Sequence, residues 1–275
     1  SLSADLQERV GAFLAARLQP DERLWVGLSG GCDSVVLLHL LSRLGHCNLS
    51  AIHVHHGLSP NADAWAAFCA NYCERLGIPL TIRHVTVAAA SGLGLEAAAR
   101  AARYAAFAEC AGDCLALAQH RGDQAETVLF NLLRGTGVTG AAGMPVERRF
   151  GKLRLLRPLL DVSRTEIEGY ASDHGLAWVE DESNADTALT RNFLRHDTLV
   201  AISQRFPAAE ASLAQAASHF SEAAGLLDEL AVQDWQLAGD GDSASMRALR
   251  QLSLPRLKNL LRHRLLKQRH QTVER

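Results

Sequence analysis

The residues with the clearest chemistry are Ser29-Gly30-Gly31-Cys32-Asp33-Ser34. An apolar run, Leu24 to Leu28, precedes them, and Val35, Val36, Leu37, Leu38, Leu40, Leu41 and Leu44 follow at helical spacing. A strand that turns through glycines into a helix places backbone N–H groups around an anion, and the helix dipole favours negative charge there. Gly30 and Gly31 let a phosphate approach with no Cβ in the way. Ser29 and Ser34 add hydroxyl donors. Asp33 offers a carboxylate to Mg²⁺, which takes carboxylate, water and phosphate oxygens. The stretch lacks G-x-x-x-x-G-K-S/T, so it is not a Walker A loop. A plain glycine turn is the alternative; six residues in strand–loop–helix order weigh against it.

Further polar groups fall where other strands end. His53, His55 and His56 lie at the end of the apolar run Leu49 to Val54. Three such histidines suggest a metal, but no cysteine or carboxylate is near in sequence, which favours a nucleotide-pocket wall over zinc. Cys114 to Ala118 leads into Gln119-His120-Arg121-Gly122-Asp123-Gln124-Ala125-Glu126-Thr127, a second strand-to-helix turn. Asp123 and Glu126 share a helix face. Acids are favoured at a helix start in any case, so a solvated terminus competes with a chemical role. Arg103 lies on a helix from Leu95 to Ala111 with Glu96 and Arg100, and either reaches a phosphate or belongs to a surface ion-paired face. Arg191 and Arg195 are four apart on a helix, either a solvated basic turn or a clamp for RNA phosphates.

The elements that must position these groups alternate. Strands are expected at Leu24 to Leu28, Leu49 to Val54, Leu80 to Val87 and Cys114 to Ala118, with helices over residues 1–19, Asp63 to Leu76 and Leu95 to Ala111. This alternation predicts an α/β fold with a doubly wound parallel sheet. Ligands in such sheets sit at the carboxyl ends of the strands, so Ser29–Ser34, His53–His56 and His120–Glu126 should face one another. Ala88 to Gly94 reads as a small-residue loop and Asp181 to Asp186 as a polar one. Arg134-Gly135-Thr136-Gly137-Val138-Thr139-Gly140 matches G-x-G-x-x-G but follows a helix, so it reads as a flexible loop with an exposed arginine. Arg148, Arg149, Lys152, Arg154 and Arg157 read as a solvated basic face. Ser163-Arg164-Thr165-Glu166 is a capping box that starts a helix to His174. Composition turns alanine-rich after Pro207, with a helix over 208–233, a loop from Gly239 to Ser243 and a basic helical end. The expected domains are therefore 1–206 and a small, incomplete helical domain over 207–275.

The chain has 275 residues, 48% of them hydrophobic, and a net charge of −2. Its pI is near 6.6 and its mean hydropathy −0.02, which allow a sizeable core and make any RNA surface local. Six cysteines, at 32, 47, 69, 73, 110 and 114, show no C-x-x-C spacing. They read as buried thiols in a reducing cytosol, with an iron–sulfur or zinc site the lesser alternative. No apolar run is long enough for a membrane span, and no signal peptide is visible, so a cytoplasmic location with no membrane partner is expected. A homo-oligomer is left open.

The first loop resembles the pyrophosphate loop, S-G-G-x-D-S, of the ATP pyrophosphatases. In order, S-G-G-C-D-S, H-V-H-H-G-L, E-A-A-A-R-A-A-R-Y, Q-H-R-G-D-Q-A-E-T with R-G-T-G, and E-D-E-S-N-A-D with R-N-F-L-R resemble the tRNA(Ile)-lysidine synthetase family. The likeness covers roughly residues 20 to 200 and is weaker to 265. It implies an adenine nucleotide α-hydrolase-like fold and the use of ATP and Mg²⁺. It further implies an enzyme that adenylates the 2-carbonyl oxygen of the wobble cytidine in tRNA(Ile) with a CAU anticodon. The ε-amine of free lysine then displaces AMP. By the same resemblance, Ser29, Gly30, Gly31, Cys32, Asp33, Ser34 and His53 hold ATP, and Asp33 holds the metal. Arg103 and His120 contact phosphate or cytosine. Asp123 and Glu126 neutralise or deprotonate the lysine amine. Arg134, Arg191, Arg195 and Arg262 carry tRNA phosphates. The family usually has an Asp where this chain has Gly122, so any role of that residue is absent or shared with Asp123. It also usually continues into a further carboxyl-terminal domain, so this chain is expected to be a cut-short or short form. The rivals are a tRNA thiolase of the same superfamily, which would draw on a cysteine such as Cys32, a glutamine-amide or NAD-type synthetase, and a non-catalytic ATP-binding protein.

Overall fold

A computed structural model describes residues 2–46, 48–87, 95–180, 190–240 and 243–273, without the side chains of residues 2, 96, 240 and 266–273. Cys47, the expected loops at 88–94 and 181–186, and the cations Lys267 and Arg269 of the basic end lie outside that description. The chain forms two compact units, residues 1–130 with 144–214, and residues 131–143 with 215–275. The expected division fell at 206/207.

The first unit opens with α1 (Leu2–Ala15), β1 (Leu24–Gly27), α2 (Cys32–Arg43), β2 (Leu49–His55), α3 (Ala62–Leu76) and β3 (Leu80–His84). It continues through α4 (Leu95–Ala108), β4 (Cys114–Ala116) and α5 (Arg121–Leu133). After the short α6 (Val138–Ala141) come β5 (Glu147–Phe150), β6 (Leu153–Leu156), α7 (Arg164–Asp173), α8 (Thr190–Phe193) and α9 (Leu199–Arg205). Helix α10 (Ala209–Ala238) follows, then β7 (Gly239–Asp240), β8 (Ser243–Ala244), α11 (Met246–Leu249) and α12 (Leu254–Val273). The expected loop from Gly239 to Ser243 is thus a small antiparallel hairpin.

The large sheet runs β3-β2-β1-β4-β6-β5, and every pair is parallel except β5 with β6. Leu24 of β1 lies between Leu49 of β2 and Cys114 of β4, which brings the ends of the two central strands level. Helix α2 is buried on nearly all sides, including Val35, Val36, Leu37, Leu38, Leu40 and Leu41. That is why its apolar face is so broad: β1 lies on one side, and α7, itself packed on α1, on another. Each such side chain contributes roughly 1.5–3 kcal/mol by leaving water, which makes α2 the anchor of the loop before it.

Two expectations are corrected. The basic strip is the antiparallel hairpin β5–β6, turning at Gly151 with φ 57°; Arg148, Arg149 and Lys152 are exposed as expected, but Arg154 and Arg157 turn inward. Alternation puts Leu153 and Leu155 in the core. Arg154 binds Glu22 at 2.6 Å and Glu147 at 3.2 Å. Arg157 is 2% exposed and donates to Gln119 Oε1 and the Pro145 carbonyl. The helix expected around Arg191–Arg195 is α8 followed by a wider π-type turn over Leu194–Thr198. Such turns recur at functional sites. Among the described residues no helix is long and apolar enough to cross a membrane.

Candidate active site

The turn from β1 into α2 is closed by hydroxyl groups. Ser34 Oγ accepts from the N–H of Ser29 at 3.1 Å and of Gly30 at 3.2 Å, and donates to the Gly31 carbonyl at 2.9 Å. Gly30 has φ +93°, and a Cβ there would meet Val179 Cγ2 at 2.8 Å. Glycine is required on both counts. Its carbonyl accepts from Val179 N–H, which ties the loop to the chain after α7. Cys32 contributes backbone only: its thiol is buried in the core, and burial pushes its pKa up to about 11. A thiol so placed is a poor thiolate.

Asp33 points from the first turn of α2 toward the end of β4. One carboxylate oxygen accepts from Arg164 at 2.6 Å, and the other lies 3.9 Å from His120 Nε2. His120 Nδ1 accepts from Gly122 N–H, so the ring proton sits on Nε2, between Asp33 and Asp123 Oδ2 at 3.7 Å. Asp123 Oδ1 binds Arg195 at 2.9 Å. Glu126, 1% exposed, binds Arg195 Nε at 2.5 Å and Arg191 Nε at 3.3 Å. Burial pushes the carboxyls of Asp33 and Glu126 above the ordinary range. His120 and Arg164 oppose this at Asp33, and Arg195 opposes it at Glu126. The structure thus seats Arg191 on Glu126 and Arg195 on Glu126 and Asp123, where the sequence left either a solvated basic turn or an RNA clamp.

Beside the loop opens a cavity of about 560 Å³, a size that suits a nucleotide. Its lining includes Ser29, Asp33, Ser34, His53, His56 and Arg103. His53 Nδ1 donates to the Leu28 carbonyl at 2.9 Å, and burial lowers its pKa. His55 binds Asp63 at 2.8 Å. His56 Nε2 accepts from Arg103 Nε at 3.5 Å, and its buried Nδ1 has no hydrogen-bond partner. Burial and then Arg103 lower its pKa to about 4, so a neutral ring presents an unsatisfied N–H that a ligand acceptor would satisfy. Among the described residues no three His, Cys, Asp or Glu are placed to hold a metal by themselves. Asp33, with Asp123 near the same imidazole edge, fits Mg²⁺ that arrives bound to phosphate, because that ion keeps few protein ligands.

Two residues escaped the sequence reading. Arg164 was visible only as part of a capping box, yet it crosses to Asp33. Glu210, in the first turn of α10, brings Oε1 to 3.3 Å from where a Cβ on Gly122 would stand. That Cβ would also meet His120 Cε1 at 2.8 Å, so the imidazole and the Glu210 carboxylate fill the space a side chain at 122 would need. No spacing rule signals either contact. Of the expected tRNA ligands, Arg134 and Arg262 lie in the second unit and are exposed.

Comparison with known proteins gives this geometry a family. A tRNA(Ile)-lysidine synthase of Pseudomonas fluorescens is 48% identical, over 91% of this chain and 61% of its own length. One of Pseudomonas syringae pv. tomato is 54% identical, over 76% of this chain and 48% of its own. The chain therefore spans 48–61% of the length of these two relatives. The U34-tRNA thiolase NcsA from Methanococcus maripaludis superposes with a TM-score of 0.67 at 20% identity over 80% of each chain, which shows a shared fold. The six-stranded sheet with its helices is the adenine nucleotide α-hydrolase fold. The profile of the PP-loop domain matches residues 2–202, and the chain belongs to the PP-loop domain family.

Proposed function

We propose that the chain carries the catalytic region of a tRNA(Ile)-lysidine synthase. It would ligate lysine to the 2-position of the wobble cytidine of tRNA(Ile) with a CAU anticodon, at the expense of ATP. Family membership implies ATP use. The relatives' names support the choice of RNA and product. The observation that carries the reading is the adjacency of two dissimilar sites: an anion loop ending in Asp33, and an acid pair, half-buried Asp123 and buried Glu126, across His120.

In this reading the cytidine O2 attacks the α-phosphorus of ATP, and the bond to the β-phosphate breaks. The backbone N–H groups in the first turn of α2 would hold the departing pyrophosphate, and Asp33 would hold the Mg²⁺ that neutralises part of its charge. The lysine amine then attacks C2, and the bond to AMP breaks. Asp123 and Glu126 hold the ammonium and take its proton, and the Glu126 carboxyl, raised by burial, suits that task. The His120 Nε2–H is placed to donate to phosphate or cytosine. The cytidine must leave its stack to enter the cavity. Arg134 and Arg262 would meet tRNA phosphates, an attraction that weakens with salt. The protein would act in the cytoplasm, where its RNA is.

Thiolation is the weaker reading. The thiol in the loop, Cys32, is buried in the core, and none of the five described cysteines is disulfide-bonded. The test is one assay with ATP, Mg²⁺, labelled lysine and a tRNA(Ile) transcript. Label in RNA with pyrophosphate release is expected; ATP binding without tRNA-dependent turnover would refute ligation by this chain.

A further inference from the structure

We propose that Arg164 is a ligand for the pyrophosphate end of ATP, kept in place by Asp33 until the nucleotide arrives. The inference rests on the loop as an ATP site and not on the tRNA reaction. The loop from Ser29 to Ser34 contains no lysine or arginine, although a triphosphate brings several negative charges to it. The N–H groups of Ser29, Gly30 and Gly31 are engaged by Ser34 and Ser29 hydroxyls. Balancing cations must therefore reach in from other elements: Arg103 lines the cavity, and Arg164 reaches the loop itself at Asp33.

Its position is built. Ser163 caps α7, and Glu166 answers with a bond to the Ser163 N–H, which fixes the first turn where Arg164 begins. Arg164 Nε donates to Glu168 at 2.7 Å, and this holds the guanidinium plane. Its Nη1 donates to Asp33 Oδ1 at 2.6 Å, whereas His120 Nε2 stands near the other oxygen, Oδ2. The Arg164 side chain is 43% exposed and that of Asp33 27%, so the pair is open to an incoming ligand. When metal and phosphate engage the Asp33 carboxylate, Nη1 is released beside the same phosphates. Arginine suits that exchange because its fork matches phosphate oxygens as well as carboxylate. A brace that only ties α7 to α2 is the competing role, and it makes a different prediction.

The experiment measures equilibrium binding of ATP, pyrophosphate and AMP, with Mg²⁺, to the full chain and to Arg164→Ala and Arg164→Lys. Arg164→Ala should weaken ATP and pyrophosphate about 10- to 100-fold, the worth of a charge-assisted hydrogen bond, and leave AMP unchanged. Arg164→Lys should recover part of the loss, because it restores the charge without the fork. Equal losses for AMP and pyrophosphate would show a brace and overturn the proposal. Unchanged pyrophosphate affinity would overturn it as well. If Arg164→Ala does not fold, Arg164→Gln takes its place beside Arg164→Lys, and the same ligand pattern separates the two roles. Wild-type protein that binds no ATP would overturn the loop reading and this inference together. Protein that binds ATP through Arg164 but transfers no lysine would refute only the proposed function.

Discussion

At the turn from β1 into α2 the side chains are small and, apart from Asp33, neutral, and hydroxyls close the backbone on itself. At the turn from β4 into α5 they are acidic and half-buried or buried, and arginines from α8 and the π-type turn neutralise them. The first turn gets its shape from residues within six positions of one another. The second gets much of its charge balance from Arg195, 69 positions from Glu126 and 72 from Asp123. Phosphate recognition needs close backbone approach, which glycine and a short loop supply locally. Moving a proton from an amine needs a carboxylate in a poorly solvated place, which only packing can supply.

Four changes sharpen or break this contrast. Asp33→Ala should cost about 10³-fold in lysine transfer, the scale of losing one stabilising group at a developing charge, while the thermal midpoint moves little. Retained turnover in a labelled-lysine assay would remove Asp33 from the chemistry. Glu126→Ala should act on the fold as well as on lysine transfer, costing about 3 kcal/mol in urea unfolding because Arg195 and Arg191 lose a buried partner. That figure is the low end for such pairs, since Arg195 is 36% exposed. Unfolding at the wild-type urea midpoint would mean that the second turn does not depend on its ion pairs.

Gly30→Ala should cost about 2 kcal/mol through left-handed strain, with added loss from contact with Val179. Denaturation and ATP titration would report it together; a neutral result would mean the loop is not held at that angle. The smallest effect belongs to Glu166. Burial alone would raise its carboxyl, but the Ser163 hydroxyl and N–H, and then Arg9, hold it down to about 2 against an ordinary 4.5. Its contribution is therefore present above pH 4.5 and lost as pH falls toward 2. Glu166→Gln should remove about 1 kcal/mol at neutral pH, the worth of a cap, and flatten that acid limb. A wild-type acid limb unchanged by the substitution would place the titration elsewhere.

The sheet was legible because strands and helices alternate with distinct apolar periods, and the expected ends of its first four strands lie within a few residues of the observed ones. The hairpin β5–β6 was not, because its arginines look solvated until Glu22 and Gln119 come beside them. Gly122 could be noticed in the sequence, but not the Glu210 carboxylate beside it, 88 residues along.

The sequence by itself determined the glycine-hinged loop, its place between a strand and a helix, and the capping box before Arg164, since short-range sterics and hydrogen bonds set all three. Only the tertiary structure decided that Arg164 meets Asp33 across 131 positions and that Arg191 and Arg195 close on Glu126. Those pairings depend on which strands become neighbours, and no local rule of spacing carries that information.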